Sequence, residues 1–496
     1  MIITERNINY LYSLLKKNAH KSFLSRKYFN SLKYWEVAAL TAYNFFLPIR
    51  DDEIEDGLSS YSGLIHKRTI TSIDINSCVF YDAHSFARGG LTQQYIRAII
   101  AAGWKMVYIT EVSKTKNTFQ PILEELELAN NAEIRYIPQD IKGLERIQYI
   151  YDTIIDTQAK RLFMHIVPTS VCAVAAFDAL PKEIEKYQIN FTDHTFWVGH
   201  HCLDYCLEFR KYGCTQSVVK RGIAPERVLL LPVYTIETET PFSGFPFERK
   251  ERIVVFSGGA YYKTIDEKDT FFKLCKEILT IDQRVIIAYA GYGDEEIMKS
   301  KIAEYNLTGK FILLGFRKDM SAIFDNIDIY LDTYPLSGGL MCQYAARHSV
   351  PILSINGWKV EDIVCQRKLA QISSENINDL IVKAKKLIND ITFRQNEGKR
   401  MADCCITVDS FNEAFRNTIE SNKSQFDYEI KQEFQEYSYD RNAKIKFENE
   451  TKSFHRTFIK HLGLTRTLIE FPSFVYDSFL MIVKEKRFLS IVRKIV

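Results

Sequence analysis

The stretch Asp328-Ile329-Tyr330-Leu331-Asp332-Thr333-Tyr334-Pro335-Leu336-Ser337-Gly338-Gly339-Leu340, running on to Val350-Pro351-Ile352-Leu353, constrains the fold more than any other. It reads as a buried strand, a glycine-bearing turn, a helix of about ten residues and a second short apolar strand, which makes one βαβ unit. Gly338 and Gly339 fall where the helix begins. A helix start exposes backbone N–H groups and a partial positive charge, and glycine lets a ligand come close to them. A phosphate or diphosphate suits such a turn best. A plain helix start explains the glycines as well.

The same alternation runs through most of the chain. Strands are expected at 78–83, 105–110, 133–138, 162–168 and 189–193, with amphipathic helices between, as at 91–102 and 143–157. The segment 233–251, with Pro241, Gly244 and Pro246 among acidic and aromatic residues, reads as a linker. Strands resume at 253–257, 285–290, 311–316, 329–332 and 351–355, with helices at 294–305 and 340–348 the clearest. Alternation of this kind predicts an α/β fold of two tandem doubly wound, Rossmann-like domains, each with a parallel sheet covered on both faces. The expected organisation is a helical extension over 1–74, a first domain over 75–232, a second over 252–420 and a charged helical tail over 421–496.

Composition excludes several classes. Hydrophobic residues make up 46% of the 496, enough to bury a large core in each domain. A net charge of +3 gives no basis for a nucleic-acid surface, which needs clustered Lys and Arg. Met1-Ile2-Ile3-Thr4-Glu5-Arg6-Asn7 turns polar too early for a secretory signal, and no apolar run reaches the roughly 18 residues of a membrane span. Ten cysteines are scattered from Cys78 to Cys405, as in a chain whose thiols stay reduced. These observations predict a soluble, cytoplasmic protein.

Four segments of the second domain bear on ligand binding. Phe256-Ser257-Gly258-Gly259-Ala260-Tyr261-Tyr262-Lys263 ends a strand in a glycine loop followed by a lysine. Ligands of open α/β sheets bind at the carboxyl ends of strands, where Lys263 would put a point charge on a diphosphate. A solvated surface lysine is the plainer alternative. Ala288-Tyr289-Ala290-Gly291-Tyr292-Gly293-Asp294-Glu295-Glu296 and Lys310-Phe311-Ile312-Leu313-Leu314-Gly315-Phe316-Arg317 end two further strands, and Ser337-Gly338-Gly339 ends a fourth. Loops from these strands converge on one sheet edge, as a crevice for a nucleotide diphosphate requires.

In this order and spacing, these motifs over roughly 252–410 resemble the C-terminal domain of GT-B-fold glycosyltransferases, the group 1 and O-GlcNAc-transferase-like branches among them. The resemblance implies a sugar-nucleotide donor, UDP-linked in the first instance, and no resident cofactor. It implies that Lys263, with Gly258 and Gly259, meets the donor diphosphate. Ser337, Gly338 and Gly339, with the N–H groups of Leu340 and Met341, would form the phosphate-cradling turn. Gly315, Phe316 and Arg317 would lie near the base. Many retaining members carry two glutamates separated by seven residues, and here those positions hold Leu336 and Tyr344. Tyr344 or its neighbour Gln343 would then have to serve the ribose. The Leu-Asp-Thr-x-Pro portion is closer to the inverting branch, although that branch's His-Thr-Thr is absent.

In the first domain, Phe80-Tyr81-Asp82-Ala83-His84-Ser85-Phe86-Ala87-Arg88-Gly89-Gly90 is similar to the acceptor-side glycine loop of the same fold, with His84, Arg88, Gly89 and Gly90 as its candidates. A tight strand-to-helix turn is the alternative. Asn190-Phe191-Thr192-Asp193-His194-Thr195 carries a histidine next to a carboxylate, expected at the end of a strand. An inverting transferase needs a base for the attacking hydroxyl, and histidine is tuned for that near neutral pH. His194 is the candidate, with Asp193 beside it, although neighbours on a strand face opposite sides. His200, His201, Cys202, Cys206 and Cys214 also lie close together, with Cys202 and Cys206 expected on one helix face. They lack the second Cys pair of a zinc finger, and no metal is assigned. Arg210, Lys220 and Arg221 either line a cleft or are solvated.

The sequence therefore predicts a hexosyltransferase acting on a saccharide or lipid-linked glycan, by a single inverting displacement without a required metal. The rivals are a non-catalytic GT-B subunit and a sugar-nucleotide epimerase. Near the end, Phe471, Phe474, Tyr476, Phe479, Leu480 and Ile482 mix with Lys484, Lys486, Arg487, Arg493 and Lys494. Such a tail suits peripheral contact with the inner face of an anionic membrane, and packing on the body of the protein explains it too.

Overall fold

The structure, a computed structural model, describes residues 3–84, 90–111, 120–237, 239–356, 358–367, 371–431, 445, 448–449 and 453–476. The chain divides into two compact units. One joins 1–87, 95–230 and 416–496, and the other joins 88–94 to 231–415.

The first unit holds seven parallel strands: β1 (Asp74–Asp82), β2 (Lys105–Thr110), β3 (Ala132–Tyr136), β4 (Ala159–His165), β5 (Glu185–Asn190), β6 (Tyr205–Glu208) and β7 (Val228–Leu230). Their order is β3-β2-β1-β4-β5-β6-β7. Cys78, Val79, Phe80 and Tyr81 of β1 are fully buried, as befits a central parallel strand covered on both faces. The strand order reverses between β1 and β4, which makes that point the topological switch of the sheet.

Two short strands, β6 and β7, escaped the periodicity because each is too brief to show one. β5 lies earlier than expected. Its polar-looking start, Glu185 and Lys186, belongs to the sheet, with Lys186 Nζ held 3.0 Å from Asp204 Oδ2 and Tyr187 stacked on Phe163 at 5.4 Å. Asp193 and His194 therefore lie in the loop beyond β5 rather than at a strand end. Cys206 sits on β6, so it shares no helix face with Cys202.

Helices Glu5–Leu24, Tyr28–Asn44 and Asp52–Ser59 precede the sheet. The middle one buries Leu32, Trp35, Ala38, Ala39 and Ala42 in the same core as Val79 and Tyr81 of β1. Phe454, Phe458, Phe471 and Phe474 join that core, with Phe454 4.7 Å from Phe45 and Phe458 4.5 Å from Phe474. Burial thus removes Phe471 and Phe474 from the expected membrane face. Tyr476 is exposed, and residues 477–496, with Phe479 and the tail cations, lie outside the described residues. Residues 422–431, expected to be helical, form an irregular strap whose Tyr428 hydroxyl donates to the Val228 carbonyl at 2.6 Å.

The second unit holds β8 (Ile253–Ala260), β9 (Val285–Tyr292), β10 (Phe311–Gly315), β11 (Ile329–Leu331) and β12 (Ile352–Leu353), all parallel, in the order β10-β9-β8-β11-β12. Alternate residues feed two cores. Val255, Ile287, Ile329 and Leu331 pack with helices Thr270–Ile281 and Ile377–Asn389. Val254, Phe256, Ile286 and Tyr330 pack with helix Gly339–Arg347 on the other face. The doubly wound α/β class expected from the sequence is the observed one. Here the switch falls between β8 and β11. Among the described residues, no helix is long and apolar enough to cross a membrane.

Candidate functional site

The switch point of the second unit brings two loops together. After β8, the short turn Tyr261–Thr264 carries Lys263, whose Nζ donates to the Ser337 carbonyl at 3.3 Å. The Lys263 carbonyl in turn accepts the Leu336 N–H at 3.4 Å. Burial pushes the Lys263 ammonium below its ordinary pKa, against the pull of the Asp332 charge.

Asp332 follows β11 and organises the loop. Its Oδ1 accepts the Gly338 N–H at 2.8 Å, and its Oδ2 accepts the Ser354 hydroxyl at 2.9 Å and the Asn356 amide at 3.0 Å. Asn356 also donates to the Thr333 carbonyl at 2.8 Å, and the Thr333 hydroxyl donates to the Leu336 carbonyl at 2.6 Å. Space requires a glycine at 338, where a Cβ would fall 2.8 Å from the Tyr330 hydroxyl and 3.3 Å from the Gly258 carbonyl. Gly258 is equally confined, its Cβ position lying 3.0 Å from Met341 Cε.

Helix Gly339–Arg347 starts at this clasp. The Met341 N–H turns back to the Gly338 carbonyl at 2.6 Å, so it is not one of the free donors expected of the turn. Gly339 and Leu340 have no acceptor for their N–H groups among the described residues. Among the described residues, the buried hydroxyls of Tyr330, beside Gly338, and of Ser257 also lack a partner. Free amides at a helix start with an ammonium beside the turn are groups that can meet an anion.

The neighbouring loops carry exposed aromatics. Phe316 is 61% and Tyr292 55% exposed, with ring centroids 6.4 Å apart, and Tyr262 is 65% exposed. Gly315, with φ +65°, occupies backbone space that favours glycine. Arg317, expected near a base, is engaged elsewhere. Its Nε donates to Asp319 Oδ1 at 2.7 Å and its Nη1 to the Gly244 carbonyl at 2.9 Å. Gln343 and Tyr344 depart from the expected ribose role for a similar reason. Both are buried, Gln343 donating to the Val233 and Ile363 carbonyls and Tyr344 to the Ile236 carbonyl at 2.6 Å. They bind their helix to the segment that precedes β8.

At the switch point of the first unit, Asp82 ends β1 fully buried and accepts the Tyr108 hydroxyl, the His84 N–H at 2.9 Å and a contact from His165 Nδ1 at 3.0 Å. His84 stacks on His165 at 4.4 Å. Its Nε2 lies 3.0 Å from the Ile166 carbonyl, which can only accept, so Nε2 carries the proton. Burial and the neighbouring His165 lower the His84 pKa to about 4, so the ring is neutral at pH 7. Arg88 and Gly89 lie outside the described residues. Gly90, φ +71°, belongs to the second unit, and a Cβ there would meet Ile236 Cγ1 at 2.6 Å.

The Asp193-His194 loop is braced by two arginines. Arg210 meets the buried Asp193 carboxylate with Nε and Nη2 at 2.5 and 2.9 Å, and Arg221 donates to the Thr192, Asp193 and Thr195 carbonyls at 3.3, 3.1 and 2.7 Å. Both arginines are buried rather than solvated. His194 Nδ1 lies 3.2 Å from Asp193 Oδ1, so the neighbouring carboxylate does orient the ring. Burial alone would raise the Asp193 carboxyl, but the Arg210 charge and hydrogen bonds hold it well below the ordinary range. Sequence reasoning gave no role to Asp82, His165 or the Asp332 clasp. A carboxylate closing the first strand of one sheet and the fourth of the other was the signal that could have found them.

No protein-family model matches the sequence, and no curated protein matches it either. Among solved structures, a mutant of the Thermobaculum terrenum O-GlcNAc transferase aligns with a TM-score of 0.51 at 13% identity, over 84% of each chain. The chain has the GT-B fold. A second GT-B-like match is Anabaena HepE in complex with UDP, with a TM-score of 0.49 at 12% identity over 70% of this chain and 100% of that one. A third is a putative UDP-N-acetylglucosamine 2-epimerase from Listeria monocytogenes, with 0.48 at 12% over 70% and 96%. At 13% identity the likeness to the O-GlcNAc transferase shows the fold and nothing about substrates.

Proposed function

We propose that this GT-B chain is a glycosyltransferase that moves a sugar from a nucleotide-diphosphate donor, UDP-linked in our reading, to a hydroxyl of a saccharide or lipid-linked glycan. The observation that carries this is the clasped turn of the second unit, which leaves the Gly339 and Leu340 amides and the Lys263 ammonium for a diphosphate. Charge grows on that diphosphate as the sugar leaves, and fixed donors in a dry site stabilise it more than water does. The exposed aromatics at Phe316 and Tyr292 suit stacking of the base.

A single displacement inverts the sugar and needs a base on the acceptor side. His194, oriented by Asp193, is one candidate. His84 is the second, favoured by its place at the switch point and by a neutral ring whose Nδ1 has no partner among the described residues. Protein charge and the helix start serve the leaving group in this reading, so no metal is required for transfer.

The test is thermal stability of the full chain against UDP, GDP, TDP, ADP and CMP, followed by donor turnover with and without glycan acceptors. A nucleotide at a hundred times its dissociation constant stabilises by about 2.7 kcal/mol, a shift of a few degrees. Transfer abolished in one of His194→Ala and His84→Ala, with nucleotide binding intact, identifies the base. Binding without transfer favours a non-catalytic subunit, for which Leu336 and Tyr344 in place of the glutamates speak. Conversion of the sugar nucleotide without acceptor favours an epimerase.

A further inference from the structure

The loop after β5 and the start of helix Asp52–Ser59 bring together three side chains that the proposed transfer does not use. His200 Nε2 and His201 Nε2 lie 3.0 and 3.1 Å from the same oxygen, Asp52 Oδ1. All three ligand atoms lie within 4.8 Å of one another. We propose that Asp52, His200 and His201 bind one divalent transition-metal ion, with zinc the best match to two imidazoles and a carboxylate.

The surroundings of the two rings support this. His200 Nδ1 faces Glu55 Oε1 at 3.2 Å, and His201 Nδ1 faces Asp56 Oδ1 at 3.5 Å. Each ring is thus flanked by a carboxylate oxygen at both nitrogens. The two Nε2 atoms thus share a single carboxylate oxygen, Asp52 Oδ1. A cation between the two Nε2 atoms and Asp52 Oδ1 resolves both contacts at once. Glu55 is buried and fixed by the Gly199 N–H at 2.8 Å, and it stands behind the His200 ring, 3.2 Å from Nδ1. A carboxylate behind a histidine is the usual support of a metal ligand.

Distances agree with an ion of this class. Tetrahedral ligands about 2.0–2.1 Å from zinc lie roughly 3.3 Å from one another, so an ion enters after small outward movements. Asp52 and His201 are partly exposed, which leaves a path and a fourth position for water. Arg50 Nε donates to the same Asp52 oxygen at 2.7 Å, and it must shift towards Oδ2 or share the carboxylate. The cysteines nearby take no part. Cys202 donates to the Gly199 carbonyl at 3.3 Å, Cys206 lies on β6, and Cys214 lies in helix Lys211–Val219. The ion joins the N-terminal helices to the loop after β5 within the first unit, so its role is to tie down that unit.

The experiment is titration of the chelator-treated full chain with Co²⁺, read by visible absorption, and then with Zn²⁺. One equivalent of Co²⁺ should give the intense visible bands of a four-coordinate ion. Zn²⁺ should displace it and raise the thermal midpoint. Asp52→Asn and His201→Asn, both at partly exposed positions, should each weaken binding at least about tenfold while keeping the metal-free midpoint and the nucleotide response. Absence of the Co²⁺ bands at stoichiometric metal would overturn the site. So would unchanged binding in the double variant. Because the nucleotide response is read separately, failure here leaves the transfer reading untouched.

Discussion

Asp332 accepts the Gly338 N–H at 2.8 Å across the turn that follows β11, and this one contact sets where the next helix presents its first amides. The carboxylate accepts from Gly338, Ser354 and Asn356. Asp332→Asn puts an amide against at least one of them. An unsatisfied buried donor costs about 1–3 kcal/mol, so the melting point should fall by several degrees and nucleotide affinity should fall with it. Calorimetric titration with UDP checks the second point, and undiminished affinity would refute the organising role of Asp332.

Lys263 lies beside the same turn, and its ammonium donates to the Ser337 carbonyl there. Lys263→Ala should weaken diphosphate binding roughly 10–100-fold, the size of a charge-assisted hydrogen bond, with the fold intact. Gly339→Val should act through space instead, since a Cβ there meets Ile363 Cδ1 at 2.4 Å, the movable tip of a side chain. Normal circular dichroism with lost nucleotide affinity is expected of both variants. Unchanged affinity in both would displace the site.

Arg210 supplies the cation opposite the fully buried Asp193 carboxylate. Arg210→Ala leaves that charge uncompensated and should destabilise the first unit by about 3–5 kcal/mol in urea unfolding. Arg210→Lys restores charge without the two-nitrogen geometry and should recover only part of the loss. A loss under about 1 kcal/mol for the alanine variant would mean that Asp193 finds another partner.

Glu208 ends β6 with its Oε1 accepting from Asn190 at 2.8 Å and from the Ser217 hydroxyl, while its Oε2 has no partner among the described residues. Burial raises its pKa from 4.5 to about 7, against the charge of Arg221, and the Asp193 charge adds to the rise. Below pH 4.5 folded and unfolded chains are both protonated, and Glu208 makes no difference. Between 4.5 and 7 the unfolded chain gives up its proton and the folded one keeps it, so stability falls as pH rises and then levels off. Glu208→Gln should remove a penalty of about 3 kcal/mol at pH 8 and little at pH 4.5. Denaturant melts of both proteins at the two pH values test this. An equal difference at both would show that Glu208 is ionised in the fold throughout.

Much of this protein was legible in order. The second unit's strands were all visible because each is an apolar run such as Ile253-Val254-Val255-Phe256. Gly338, Gly339 and Lys263 were legible as candidates because strand ends and helix starts are local features. The partners of Gln343, Tyr344 and Arg317, the Val233 and Ile236 carbonyls and Asp319 with the Gly244 carbonyl, were not legible because they follow from packing that no local pattern announces.

What the sequence determined by itself was the alternation of strand and helix, and with it a doubly wound α/β architecture, since a period of two or of 3.6 is written in neighbouring residues. Tertiary structure alone decided which carboxylates meet which cations. It set Asp193 on Arg210 across 17 positions, and Asp52 on His200 and His201 across 148 and 149. Hydrogen bonds and ion pairs act over a few ångströms, and only the folded chain brings residues so distant in sequence within that reach.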